Sequence, residues 1–136
     1  AWGVRFVHNA DYARAEMLSS VQTGLRAIES ACQAALIAPG DQPLIEAHIV
    51  NQVIQAGAPG RIVIPAFHGR GGHPVLIDRA HWLDILSAPP HATLRDIIHS
   101  RPQAIHYVDV ESETVLQDMD TPDQYQAALK SLGEQK

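Results

Sequence analysis

The sequence predicts an α/β domain built on an open sheet, and three stretches carry that prediction. Residues 34–38, Ala-Ala-Leu-Ile-Ala, form an unbroken apolar run closed by Pro39-Gly40. A short run bounded by turn formers reads as a strand buried on both faces. Next, Ile45, Ile49, Val53 and Ile54 recur at helical spacing over Glu46, Asn51, Gln52 and Gln55, the stripe of a helix lying on a sheet. A second apolar run then follows at residues 61–65, Arg-Ile-Val-Ile-Pro. Strand, amphipathic helix and strand in this order are the unit of an α/β sheet. Such sheets bind ligands where the chain leaves the carboxyl ends of the strands.

Taken in order, residues 4–8 read as a first strand, with Val4, Phe6 and His8 on one face. The chain has no initiator methionine and no polar lead-in, so this strand looks already under way. His8-Asn9-Ala10-Asp11 turns the chain. A helix from Ser19 or Ser20 follows, with Val21, Leu25 and Ile28 toward the sheet. The serines serve either as caps or as hydroxyls set against a phosphate. Beyond the apolar run comes Asp41, followed by Gln42 and Pro43. Asp41 either handles a metal or phosphate at a strand end, or caps a helix opening near Ile45 with Pro43 in its first turn.

Residues 57–60, Gly-Ala-Pro-Gly, stop that helix before the second apolar run. Phe67-His68-Gly69-Arg70-Gly71-Gly72-His73-Pro74 reads as a loop, either a mobile turn or a phosphate-facing loop in which Arg70 makes a paired contact. His68 and His73 lack the further ligands of a zinc site. A short strand at 74–77 precedes a helix at 78–86 that packs Trp82, Ile85 and Leu86. Residues 87–91 form a rigid connector, and a helix at 93–99 turns Leu94, Ile97 and Ile98 inward. A strand at 105–110, an acidic turn and a return strand at 114–117 come next. Thr121 as cap, Pro122 in the first turn and Gln124 as its reciprocal partner then start the last helix, which carries Tyr125, Ala128 and Leu129. That start does not need Asp118 and Asp120. The pair either holds a cation or complements the helix dipole.

Composition narrows the classes. The 136 residues make one domain, spanning 1–136, able to bury about two thirds of its unfolded surface. A net charge of −5 argues against a nucleic-acid backbone as partner, and no apolar run approaches a membrane span. The single Cys32 rules out an internal disulfide framework and suits a reducing cytoplasm.

Asn9, the segment 17–25 (Met-Leu-Ser-Ser-Val-Gln-Thr-Gly-Leu), Gly40-Asp41-Gln42-Pro43-Leu44, Gly72-His73-Pro74 and Asp118-Met119-Asp120-Thr121-Pro122-Asp123 together resemble the MobA-like NTP transferases. The branch they resemble most is the molybdenum cofactor cytidylyltransferases. The resemblance implies a three-layer αβα, Rossmann-like nucleotidyltransferase fold, truncated at its amino terminus. It implies transfer of a nucleotidyl group, CMP before GMP, from a nucleoside triphosphate to molybdopterin or another small phosphorylated acceptor, with release of pyrophosphate. Asp41 and Asp120 would be the catalytic acids, holding Mg2+ together with Asp118. Asn9, Ser19, Ser20 and Gln42 would lie toward substrate, with Arg70, Gly72 and His73 near the acceptor.

The sequence also departs from the family pattern. Members open with a glycine-rich loop containing arginine and followed by lysine, which cradles the triphosphate, and Glu16 replaces a common glycine. Without that loop and its strand, the resemblance covers roughly the carboxyl-terminal two thirds of a member. Strand edges left open would be covered by a second copy or a companion chain. The alternative function is a non-catalytic, partner-binding or regulatory module of the same fold.

Overall fold

Buried side chains alternate along residues 62–66, and the two sets they form divide the molecule into layers. The computed structural model describes residues 3–13, 17–28 and 30–134. Glu16, named above as a departure from the family pattern, lies outside the described residues. Ile62 and Ile64 belong to one core with residues of three helices, α1 (Met17–Ala27), α3 (Trp82–Leu86) and α4 (Leu94–His99). Val63 points the other way, into a cluster with Val53 of α2 (Ala47–Gln55). Period-two alternation in a strand sends neighbours to opposite faces, so helices cover the sheet on both sides. The result is the expected three-layer α/β architecture.

The sheet runs β1 (Ala34–Ile37), β4 (Val75–Asp78), β2 (Ile62–Phe67), with β5 (Ile105–Asp109) on the far side of β2. β4 is antiparallel to both β1 and β2, whereas β5 is parallel to β2. The carboxyl ends of β1, β2 and β5 therefore share one edge with the amino end of β4. β3 (Arg70–Gly71) folds back on the end of β2, pairing Phe67 with Arg70 and Ala66 with Gly71. Between β3 and β4 the register against β2 slips at Gly72-His73-Pro74, where the His73–Pro74 peptide is cis.

Four expectations are corrected. Residues 4–8 are not a strand. They run as exposed coil, with Phe6 94% accessible, because no described strand lies alongside to pair with them. Arg5 bonds to the Ala27 carbonyl, and Asn9 donates its amide to Ser19 (2.8 Å) and Ser20 (3.0 Å), so this segment hangs over α1. β1, expected to be buried on both faces, is an edge strand. Only Ala35 of its four residues is buried, and among the described residues its outer side has no partner strand. The loop at 67–72 is a hairpin. His68 (φ 49°) and Gly69 (φ 77°) form a two-residue turn with both central residues in the left-handed region, the geometry that matches strand twist. Finally, residues 114–117 do not return as a strand. Glu113–Leu116 is a 3-10 turn capped by Ser112, with Val115 fully buried against Ile49 and Val110.

Other local chemistry follows the sequence closely. Asp78 accepts from the Ala80 amide at 3.0 Å to start the turn into α3, and Thr93 accepts from Asp96 at 3.0 Å to cap α4. Gln124 accepts from the Asp120 (2.7 Å) and Thr121 (2.9 Å) amides while Thr121 accepts from Gln124 at 3.3 Å. That reciprocal box opens α5 (Pro122–Glu134) as expected. No helix among the described residues is long and apolar enough to cross a membrane.

Candidate active site at the strand ends

The chain leaving β1 turns at Gly40-Asp41 and does not enter a helix until Ala47. The residue at the cap position of α2 is Glu46, so Asp41 is not that helix's cap and its exposed carboxylate is not spent on capping. Two hydrogen bonds join this turn to the segment before α5. The Met119 amide donates to the Asp41 carbonyl at 2.8 Å, and Gln42 Nε2 donates to Asp118 Oδ1 at 2.5 Å. Segments far apart in sequence are thus fastened side by side at the edge where the strand carboxyl ends meet.

The slipped segment between β3 and β4 forms the third wall. Gly72 donates to the Pro65 carbonyl at 2.8 Å and His73 to the Val115 carbonyl at 2.9 Å. A Cβ on Gly72 would stand 2.1 Å from the Val115 oxygen, so only glycine admits this approach. The half-buried His73 ring sits within the fields of both Asp118 and Asp41. Burial, the larger effect, pushes its pKa below the ordinary imidazole value, while attraction first to Asp118 and then to Asp41 acts against the drop.

The predicted residues therefore fall into groups. Asp41, Gln42, Asp118 and His73 converge. Asp120 is exposed two residues beyond Asp118, its amide engaged in the helix cap. Asn9, Ser19 and Ser20 cluster at the start of α1, joined by the Asn9 amide. Among the described residues no three His, Cys, Asp or Glu side chains are grouped to hold a metal by themselves. Magnesium does not require such a cage. It is commonly held by one or two carboxylates, with water and substrate phosphate filling the rest. Two carboxylates on fastened strand-end loops are a donor set of that kind.

Arg70 lies elsewhere in this edge, on the wall of a second cavity of about 600 Å3 shared with α4. Its described lining includes Arg95, His99 and Tyr107, which the sequence reading did not single out. Arg95 and His99 are four apart on the polar side of α4, and that spacing was the available signal.

Comparison with known proteins agrees with this fold. The MobA-like NTP transferase domain model matches residues 1–106. The chain is 26% identical over 123 residues to the molybdenum cofactor cytidylyltransferase of Escherichia coli (strain K12), covering 90% of this chain and 60% of that protein. Among solved structures it is similar to the Mycobacterium sp. strain JC1 homolog of Mycobacterium tuberculosis Rv0371c (TM-score 0.71, 24% identity, 86% of this chain and 59% of that one). It is also similar to Rv0371c of M. tuberculosis H37Rv in complex with manganese (TM-score 0.69, 21% identity, 85% and 60%). The chain thus spans about 60% of the length of these relatives. Matched over most of its length, the chain belongs to the MobA-like NTP transferase family.

Proposed function

We propose that the chain forms the strand-end part of a nucleotidyltransferase that moves a nucleotidyl group, CMP in preference to GMP, from a nucleoside triphosphate to a molybdopterin-type or other small phosphorylated acceptor. The observation that carries this reading is the fastening of the Asp41 turn to Asp118 through Gln42 and Met119. The cytidylyltransferase named for the E. coli relative supports the choice of base and acceptor.

In the proposed reaction an acceptor phosphate oxygen forms a bond to the α-phosphorus. The bond from that phosphorus to the bridging oxygen breaks, and its electron pair leaves with pyrophosphate. Such transfers ask little covalent chemistry of the protein and much positioning. Asp41 and Asp118, with Asp120 beside them, are the proposed holders of Mg2+, which when bound supplies neutralising charge on the triphosphate. The manganese complex of the similar Rv0371c is in keeping with a divalent ion in this fold. Asn9, Ser19 and Ser20 are assigned to the nucleotide side, and Arg70, Gly72 and His73 to the acceptor side. The compartment proposed is the cytoplasm. A further strand, from a second copy or another chain, is proposed for the open side of β1.

The test is pyrophosphate release from CTP and, in parallel, GTP, with Mg2+ and a molybdopterin acceptor. It is run on this chain and on one extended upstream with a glycine-rich segment of the family pattern. Release by the extended protein, faster with CTP and lost in Asp41→Asn, is expected. A folded, extended protein that releases none defeats the reading.

A further inference from the structure

A groove of about 810 Å3 lies against the fastened loops, between the head of α2 and the far end of α5. Its wall includes Pro43 and Gln117, the immediate chain neighbours of Gln42 and Asp118. One rim is acidic. Glu46 at the start of α2 stands there with Glu111 and Glu113 of the turn after β5. No lysine or arginine is among the described lining residues, and the imidazole there, His48, is 3.3 Å from Glu46. Ser112 Oγ donates to Glu46 Oε1 at 2.8 Å and so ties the turn to the head of α2. Glu111 and Glu113 are exposed, and neither is within ion-pair distance of a basic group among the described residues. A concave wall of one sign attracts the opposite charge. Charge alone names no partner.

The other half of the groove supplies the shape. Leu44, Ile45 and Phe67, all only partly buried, bring apolar surface to it, and Leu132 of α5 lines it as well. Leu132 ends a longer stripe. Tyr125, Leu129 and Leu132 fall at i, i+4 and i+7 on one helix face, and each is about half exposed. Ala128 is the buried side chain of α5, so the apolar face of this helix is left largely open. Such a stripe beside a groove suits a second helix whose own anchors recur at helical spacing. The acidic rim asks that this second helix be basic. Among the described helices of the chain none carries more than one lysine or arginine, and the chain has a net charge of −5. A second copy therefore lacks the complementary charge, and a different protein has to bring it.

We infer that this groove docks a basic amphipathic helix of another protein. Its apolar anchors lie on Leu132 and Phe67, and its lysines or arginines face Glu111 and Glu113. The docking does not rest on the nucleotidyl-transfer reading.

The test uses the 136-residue chain labelled with 15N. The probe is a synthetic helix of about 15 residues, with leucine at i, i+3, i+4 and i+7 of each repeat and lysine elsewhere. Three companions are titrated separately: the same peptide with glutamate for lysine, the same peptide with serine for leucine, and spermine. The Leu-Lys peptide is expected to shift the amides of residues 44–48, 111–114 and 129–132. It should bind about tenfold tighter than any companion. Glu111→Lys combined with Glu113→Lys should weaken it about tenfold, and Leu132→Ser about fivefold. The charge-matched pair Asp11→Lys with Asp96→Lys, at exposed positions off the groove, should leave it unchanged. Equal binding by any companion, equal weakening by the control pair, or no shifts with the Leu-Lys peptide overturns the inference. Shifts centred on residues 40–42 and 118–120 overturn it too, by moving the peptide to the carboxylates of the candidate active site. Preserved amide spectra separate lost binding from lost folding, and the peptide comparison needs no variant at all. No nucleotide or metal enters the assay, so its failure leaves the nucleotidyl-transfer reading intact, and failed pyrophosphate release leaves the groove intact.

Discussion

Gln42 and Asp118 are separated by 76 positions and joined by one hydrogen bond of 2.5 Å. Gln42 is only 8% exposed, and its Oε1 has no partner among the described residues. The side chain therefore keeps a single polar contact in a buried setting, and that contact fixes a carboxylate at the rim of the site. A bond to a charged acceptor contributes about 1.5–3 kcal/mol, less where the acceptor is partly solvated as here. Gln42→Leu should cost about 1–2 kcal/mol in urea unfolding, because it removes the donor and the orphaned acceptor together. Gln42→Glu should cost more, since it sets two carboxylates against each other. A Gln42→Leu protein as stable as the parent would show that the Met119 amide bond to Asp41 suffices to hold the two segments together.

Gly72 limits how closely the histidine loop can approach the Val115 turn. Its hypothetical Cβ meets the Val115 oxygen at 2.1 Å and the carbonyl carbon at 2.7 Å, both backbone atoms that no rotamer change can move. Gly72→Ala must push the 3-10 turn away and break the His73 amide bond to Val115. The expected cost is about 1–3 kcal/mol, the range for overpacked sites. Thermal unfolding checks it, and an unshifted midpoint would mean the two segments separate freely.

Much of this was legible in the sequence where the signal is local. The stripe of α2, the apolar run of β2 and the Thr121–Gln124 cap depend on residues a few positions apart, and all three are present. What was not legible depends on neighbours distant in sequence. Whether residues 34–37 are central or at an edge is decided by which strand comes alongside, and residues 4–8 fail to pair for the same reason. The hairpin was hidden because its first turn position is His68, not the glycine or asparagine that usually marks such a turn. The joining of the Asp41 turn to the Asp118 segment was half visible: both acidic stretches were candidates for one cation. The choice of Asp118 over Asp120 as the tethered acid required Gln42, whose bond spans most of the chain.

His73 gives the metal-free fold a pH dependence with a definite sign. Burial lowers its folded pKa below the ordinary 6.5. Between the two values the unfolded chain binds more protons, so stability rises with pH across that window. The contribution is complete above the unfolded value and is lost as pH falls through the window toward the folded one. His73→Gln, which keeps the backbone bond to Val115, should flatten this part of the profile. Urea midpoints in EDTA at closely spaced pH values provide the measurement. An identical slope in the variant would assign the dependence to another group.

The last expectation concerns the carboxylates themselves. Asp41 and Asp118 sit on loops joined by two hydrogen bonds, and the half-buried His73 feels the charge of both. A divalent ion is commonly held by one or two such carboxylates, with water filling its remaining positions. Manganese is a suitable probe, since its paramagnetism broadens nearby amide signals. Titrated into the 136-residue chain, it should broaden residues 40–42, 73 and 117–119 first. Asp41→Asn and Asp118→Asn should each weaken the effect about tenfold, equivalent to 1.4 kcal/mol. Asp123→Asn, an exposed acid in the first turn of α5, should change little. If broadening instead centres on Asp120 and Asp123 and survives both substitutions, the ion follows the helix start and the strand-end pair is not its site.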